Sequence, residues 1–210
     1  MRTFLKRTHR TSRTLALAGA VAGAALLLAA CGDDGSTDGT GQGPTTSASA
    51  PASAPASDSF NDADVTFAQM MIPHHQQALE MAKLADGRAE DADVKKIVAA
   101  VEQAQDPEIQ KMKAWLKGWG KPESAHAGHS TASMAGMMSE QDMKDLAAAK
   151  GKDFDRTFAE LMIAHHEGAV EMAKEEQKNG GNAEAKALAA DVVRTQSAEI
   201  AELRKILERL

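Results

Sequence analysis

Two pairs of adjacent histidines, His74-His75 and His165-His166, stand in the same local context: Met71-Ile72-Pro73 precedes the first and Met162-Ile163-Ala164 the second. Imidazole nitrogen and thioether sulfur are neutral, rather soft donors. Together, without thiolate or carboxylate, they suit copper, and the sulfur favours Cu(I) and its analogue Ag(I). A single histidine on an apolar stripe is ordinarily a hydrogen-bonded core residue, and a methionine stripe is ordinarily packing. Repetition of the whole constellation shifts the reading towards metal ligands: His74, His75, His165, His166, Met71 and Met162. On a helix turning 100° per residue, Met71 lies about 60° and His75 about 100° from His74, so two imidazoles and one thioether per motif can face one point. A 100° divergence between neighbours also leaves room for His75 to face outward.

Further soft donors surround these motifs. Met70 and Met81 flank His74 at about −40° and −20°, and Met172 repeats Met81. His126, His129, Met134, Met137 and Met138 form a tract between the motifs that suits copper capture without a preformed site. Gln105 and Gln196 interrupt apolar stripes at equivalent positions, placed either to hold a histidine in one tautomer or simply to sit at a stripe edge. Glu80 and Glu171 fall about 240° from the leading histidines and read as exposed partners of Lys83 and Lys174.

The elements that must position these residues come from an internal duplication. Asp62 to His75 aligns without a gap on Asp153 to His166 at an offset of 91, and the register persists through Gln105, Glu108 and Ile109 against Gln196, Glu199 and Ile200. Phe67, Met71, His74, Ala78 and Met81 recur at helical spacing, as do Val94, Ile97, Val101, Gln105, Ile109, Met112 and Leu116 beyond an Asp86-Gly87 break. Each repeat (about 62–116 and 153–207) is therefore a helical hairpin that cannot bury its own stripe. Two hairpins make a four-helix bundle, an all-α fold with a long crossover linker over about 118–152. Ser139, with Asp142 three residues on, opens a short helix within that linker. Asp62 and Asp64, with Asp153 and Asp155, suit helix starts. Pro73 should kink the first helix.

Upstream of the domain, spanning 60–210, residues 1–30 carry five basic side chains, no acid, and an apolar run ending Leu28-Ala29-Ala30-Cys31. That is a signal peptide whose small residues before a lone cysteine mark Cys31 as a lipidation site. Residues 31–59, mostly Gly, Ser, Thr, Ala, Pro and Asp, have almost nothing to bury and read as a disordered tether. With its one cysteine lipidated, the protein has no thiol for disulfides, metal thiolates or covalent catalysis. Removal of the leader leaves 19 basic against 30 acidic side chains, a net charge of −11 that excludes nucleic acid as a natural partner.

The paired His-His motifs, with Ala78-Leu79-Glu80-Met81-Ala82, Ala169-Val170-Glu171-Met172-Ala173 and the trailing Gln105-Asp106-Pro107-Glu108-Ile109, resemble the domain-of-unknown-function family 305 over about residues 60–210. That resemblance implies a ferritin-like helical bundle and, for some members, secretion and copper binding tied to copper resistance. It implies a ligand role for His74, His75, His165, His166, Met71 and Met162.

The resulting expectation is an extracytoplasmic lipoprotein that buffers or chaperones copper and catalyses no reaction. A homo-oligomer or a copper-transport partner is compatible with it, and the membrane is met only through the lipid. A metal-free interaction module and a ferritin-like oxidase stand as alternatives. Di-iron oxidases of this architecture use Glu-x-x-His on bundle helices, and the one such match, Glu123 to His126, lies in the linker. Cys31→Ala should abolish lipidation, so wild type should partition into a detergent phase and the variant should not; equal partitioning would refute the anchor.

Overall fold

A computed structural model describes residues 59–124 and 134–210; the signal peptide, Cys31, the tether and His126 and His129 lie outside the described residues. Five helices appear: α1 (Asp62–Lys83), α2 (Ala92–Gly118), α3 (Glu140–Ala148), α4 (Lys152–Asn179) and α5 (Ala183–Arg209). No strand occurs among the described residues. The four long helices are the two hairpins of the duplication. α1 packs on α2 and α4, and α5 packs on α4 and α2.

Contacts at the bundle ends fix the directions. At one end Asp64, at the start of α1, accepts hydrogen bonds from the Gly181 and Asn182 amides just after α4. At the other, Asp155 near the start of α4 accepts from the Glu90 and Asp91 amides just before α2. Both contacts obey the 91-residue offset, so α1 and α4 run antiparallel about a pseudo-twofold relation. The linker must then travel the length of the bundle. It leaves α2 near Pro122, whose carbonyl accepts from Gln69 in the first half of α1, and reaches Gly151, whose amide donates to Arg88 beyond the end of α1.

The duplicated aspartates lie in the first turns of α1 and α4, as their spacing suggests, and two of them play a further part. The cap of α1 is Asn61, with Asp64 closing a capping box, and α4 starts at Gly151 with no side-chain cap at all. Asp64 and Asp155 also satisfy free amides at the head of the other repeat's second helix, where the peptide dipole favours negative charge. Ser139 caps α3 with Asp142 reciprocating, as its sequence spacing requires. α1 continues as helix through Pro73 to Lys83.

Two apolar clusters fill the bundle. One joins Ala78, Met81, Val94, Val101, Phe154, Phe158, Met162, Leu203 and Ile206; the other joins Phe67, Met71, Ile109, Met112, Leu116, Ala169, Ala173, Leu188 and Val192. Between them, in the middle of the helices, lies a buried polar layer of His74, His75, Gln105, His165, His166 and Gln196.

The two ends of the bundle differ in one respect. Against Asp64 stands Glu176, buried, where the first repeat has Ala85. Burial, then the hydrogen bond to Asp64 and its charge, push the Glu176 carboxyl up to about 8. Burial would raise Asp64 too, but the proton shared by Glu176 and the amides of Asn61, Asn182 and Gly181 outweigh it and hold Asp64 below the usual carboxylate value. Above pH 4.5 the unfolded chain sheds the Glu176 proton while the folded chain retains it, so stability falls as pH rises until the folded group itself titrates near 8. Glu176→Gln keeps a donor for Asp64 and removes the titration. The variant should match wild type in urea melts at pH 4 and exceed it by about 1–4 kcal/mol at pH 8; equal stability at pH 8 would refute the shared proton.

Candidate metal centre

The antiparallel crossing of α1 and α4 brings the leading histidine of each motif onto the pseudo-twofold axis. The rings of His74 and His165 pack against each other with centroids 3.8 Å apart and planes tilted by 38°. All four histidines are fully buried, so His75 does not face outward as its 100° offset allowed. It turns instead toward α2, where its Nε2–H donates to Glu108 at 2.7 Å, and His166 does the same to Glu199 on α5, also at 2.7 Å. Each carboxylate is slightly exposed at the bundle surface while its imidazole is sealed inside.

These contacts settle the tautomers. A carboxylate or a carbonyl accepts only, so a ring nitrogen bonded to one carries the proton and the other nitrogen is left with a lone pair. His75 and His166 are so held by glutamate, and His74 by the Ala135 carbonyl, which accepts from its Nε2 at 3.2 Å. Their Nδ1 atoms are buried and have no hydrogen-bond partner, and neither nitrogen of His165 has one in good geometry. Burial, followed by the neighbouring His75 and His166, pushes His74 down to about 3. Burial and the other three histidines likewise hold His165 well below its ordinary value. Both rings are therefore neutral at physiological pH, the state in which imidazole binds metal. An unsatisfied buried nitrogen costs roughly 1–3 kcal/mol, so five of them in one layer are poorly explained by packing; a neutral ring has one lone-pair nitrogen, so four of the five, one per histidine, fit a set of donors for a cation.

Among the described residues no three His, Cys, Asp or Glu side chains gather as a ready chelate. A site in this layer would have to draw on sulfur as well. Met71 and Met162 are fully buried, but in different apolar clusters, on opposite sides of the histidine layer. Met81 packs in the cluster of Met162. Gln105 and Gln196 are buried in the layer but neither bonds a histidine, and their Oε1 atoms have no partner; glutamate, one helical turn further on, holds the rings instead. Glu80 and Glu171 are exposed, without the ion pairs to Lys83 and Lys174 that their spacing suggests.

The linker contributes a strap over this centre. Residues 134–138 cross α1 and α4: Ala135 holds His74, and the Met138 backbone is clasped at both its amide and its carbonyl by the Gln77 side chain. Gly136, at φ +77°, lies so close to α4 that a β-carbon would meet the carbonyls of Ala164 and His165 at 2.7 and 2.9 Å. Opposite it a β-carbon on Gly168 would meet the Ala135 carbonyl at 2.1 Å. Both glycines are needed for this approach. Gly168 and Gln77 are equivalent positions of the duplication, so each repeat supplies one seat for the strap, by different means. Met134 is buried beneath it, while Met137 and Met138 are half-buried.

Residues 64–207 match the family described as Domain of unknown function (DUF305). The chain is similar to the crystal structure of a putative secreted DUF305 protein from Streptomyces coelicolor, at 32% identity over 73% of this chain and 93% of that one, with a TM-score of 0.66. A DUF305 fragment from Deinococcus radiodurans is 32% identical over 71% of this chain and 98% of that one, with a TM-score of 0.65. CopM in its Cu(I)-bound form is 35% identical over 70% of this chain and 96% of that one, with a TM-score of 0.59, and its Cu(II)- and Ag-bound forms are similar to a like degree. No curated protein matches the chain. The duplicated hairpins, the paired histidines and these similarities together make the chain a member of the DUF305 family.

Proposed function

We propose that this protein is an extracytoplasmic copper-binding protein, anchored through a lipidated Cys31, that holds Cu(I), and Ag(I) in its place, as a buffer or chaperone and catalyses no reaction. The observation that carries the reading is the layer of four buried histidines whose inward nitrogens have no protein partner. The similarity to CopM, solved with Cu(I), Cu(II) and Ag, supports copper as the ion, and the secreted Streptomyces relative supports the location.

His74 and His165 would hold the ion at the axis. His75 and His166 would offer Nδ1, with Glu108 and Glu199 fixing the rings and raising their basicity. Met71 and Met162 would supply thioether from either side, the donor that retains a soft monovalent ion and does little for zinc or iron. Copper would supply no chemistry here beyond being held. Both apolar clusters exclude water from the layer.

Chelator competition should show Cu(I) bound more tightly than Zn(II) or Fe(II). Replacing His74, His75, His165 and His166 by Ala should abolish the tight binding. Met71→Leu with Met162→Leu keeps bulk and fold and should cost Cu(I) affinity more than Cu(II) affinity. Glu108→Gln with Glu199→Gln should weaken binding by about 10- to 100-fold. A four-His variant, folded by circular dichroism, that competes as well as wild type would refute the proposal and favour a metal-free interaction module.

A further inference from the structure

Beside the histidine layer, α1, the strap and α4 enclose a cleft of about 600 Å³. Three methionines line it, one from each element: Met70, Met134 and Met172. Asp62, Glu171 and Glu175 also line it, and no lysine or arginine does. The Glu176 carboxyl, 2% exposed and sharing its proton with Asp64, closes the inner end of the same cleft.

We propose that this cleft is a second binding site, separate from the histidine layer, for a soft monovalent cation held by the thioethers of Met70, Met134 and Met172. The reading rests on the copper function above for the ion's identity, but on none of its ligands. Carboxylates without a countering cation draw positive ions to the cleft. Thioethers bind calcium and magnesium poorly and Cu(I) or Ag(I) well, so the donor set selects among the ions attracted.

The pseudo-twofold relation provides an internal control. On the equivalent surface of the other repeat, Met70 is replaced by Leu161, Glu175 and Glu176 by Leu84 and Ala85, and Asn179 by Arg88; only Met172 keeps a methionine counterpart, Met81. A cleft remains there too, but Lys83 and Lys144 line it and α3 covers the rest of the surface. Leu146 of α3 packs into the cluster containing Met81, Ala85 and Leu161, and Arg88 donates to the Ala147 carbonyl. One half of the duplication therefore carries lysines and a covering helix at its cleft, while the other presents three methionines and carboxylates with no lysine or arginine among the lining residues. Met134 is held in the open cleft by the fit of Gly136 on Gly168. Ala135, next to it, lines the cleft and bonds His74, so the two sites meet at a single residue.

The test is a titration of the mature full chain with Ag(I) in chloride-free buffer, read by the methionine ε-methyl resonances and by calorimetry. In wild type the methyls of Met70, Met134 and Met172 should shift together and saturably. Leucine at all three positions should remove one equivalent of Ag(I), or weaken it at least tenfold. The four-His variant should keep that equivalent and those shifts. Unmoved methyls at saturating Ag(I), or a triple variant binding like wild type, would overturn the cleft site and leave the histidine layer standing. Loss of all binding in the four-His variant would also overturn it. A four-His variant that loses nothing would count against the histidine layer alone. Should the triple variant melt early, Met172→Leu, half-exposed and therefore gentler on the fold, carries the same readouts.

Discussion

Everything in this bundle is arranged around one crossing, where α1 and α4 run antiparallel and set His74 against His165. Neutral imidazoles packed 3.8 Å apart inside a protein are tolerated only if nothing protonates them and nothing displaces them. Burial and the adjacent rings meet the first need by depressing His74 to about 3 and holding His165 well below its ordinary value. The second is met by apolar clusters above and below the layer, each drawing on all four long helices. Because α1 and α4 must be antiparallel for their mid-helix motifs to meet, α2 and α4 are parallel, and the linker has no choice but to span the bundle.

The outer histidines solve a different problem. Adjacent residues on a helix point 100° apart, so His75 and His166 cannot join the axis in the way their neighbours do. Each reaches sideways to a glutamate on the second helix of its own hairpin, at the same 2.7 Å in both repeats. The carboxylate accepts from Nε2–H and leaves the Nδ1 lone pair free, so the same contact that braces the hairpin prepares the ring for a cation. Asp64 and Asp155 brace the bundle in the complementary sense, tying each repeat to the other at its ends.

The sequence made the helices, the hairpins, the crossover and the candidate histidines legible because all of them are periodic and duplicated. Met71, His74 and Met81 are buried because the stripe says so. What it hid is what depends on a partner far along the chain. Glu108 lies 33 residues from His75 and one turn beyond Gln105, on a face where a glutamate normally meets water. Its one sequence signal was its exact recurrence as Glu199, which applied equally to Gln105 and Gln196. The aspartates read as helix-start residues, which they are, but nothing local reveals that Asp64 also serves amides 117 and 118 residues away. The strap was illegible for a similar reason: only the folded approach shows why Gly136 and Gly168 cannot carry a side chain.

Duplication gives two copies of each half-site, but a single strap cannot be symmetric. It crosses the pair once, so one repeat must offer it a flat seat and the other a polar grip, and the equivalent positions became Gly168 and Gln77. Its carbonyl at Ala135 can serve only one of the two axial histidines. His74 consequently has a fixed tautomer, whereas His165 retains two nitrogens without a partner. The rings therefore present unequal electronic environments to anything between them, although the helices that carry them are nearly equivalent. The linker thus does more than join the repeats, because the segment that spans the bundle also decides which face of the histidine layer is covered.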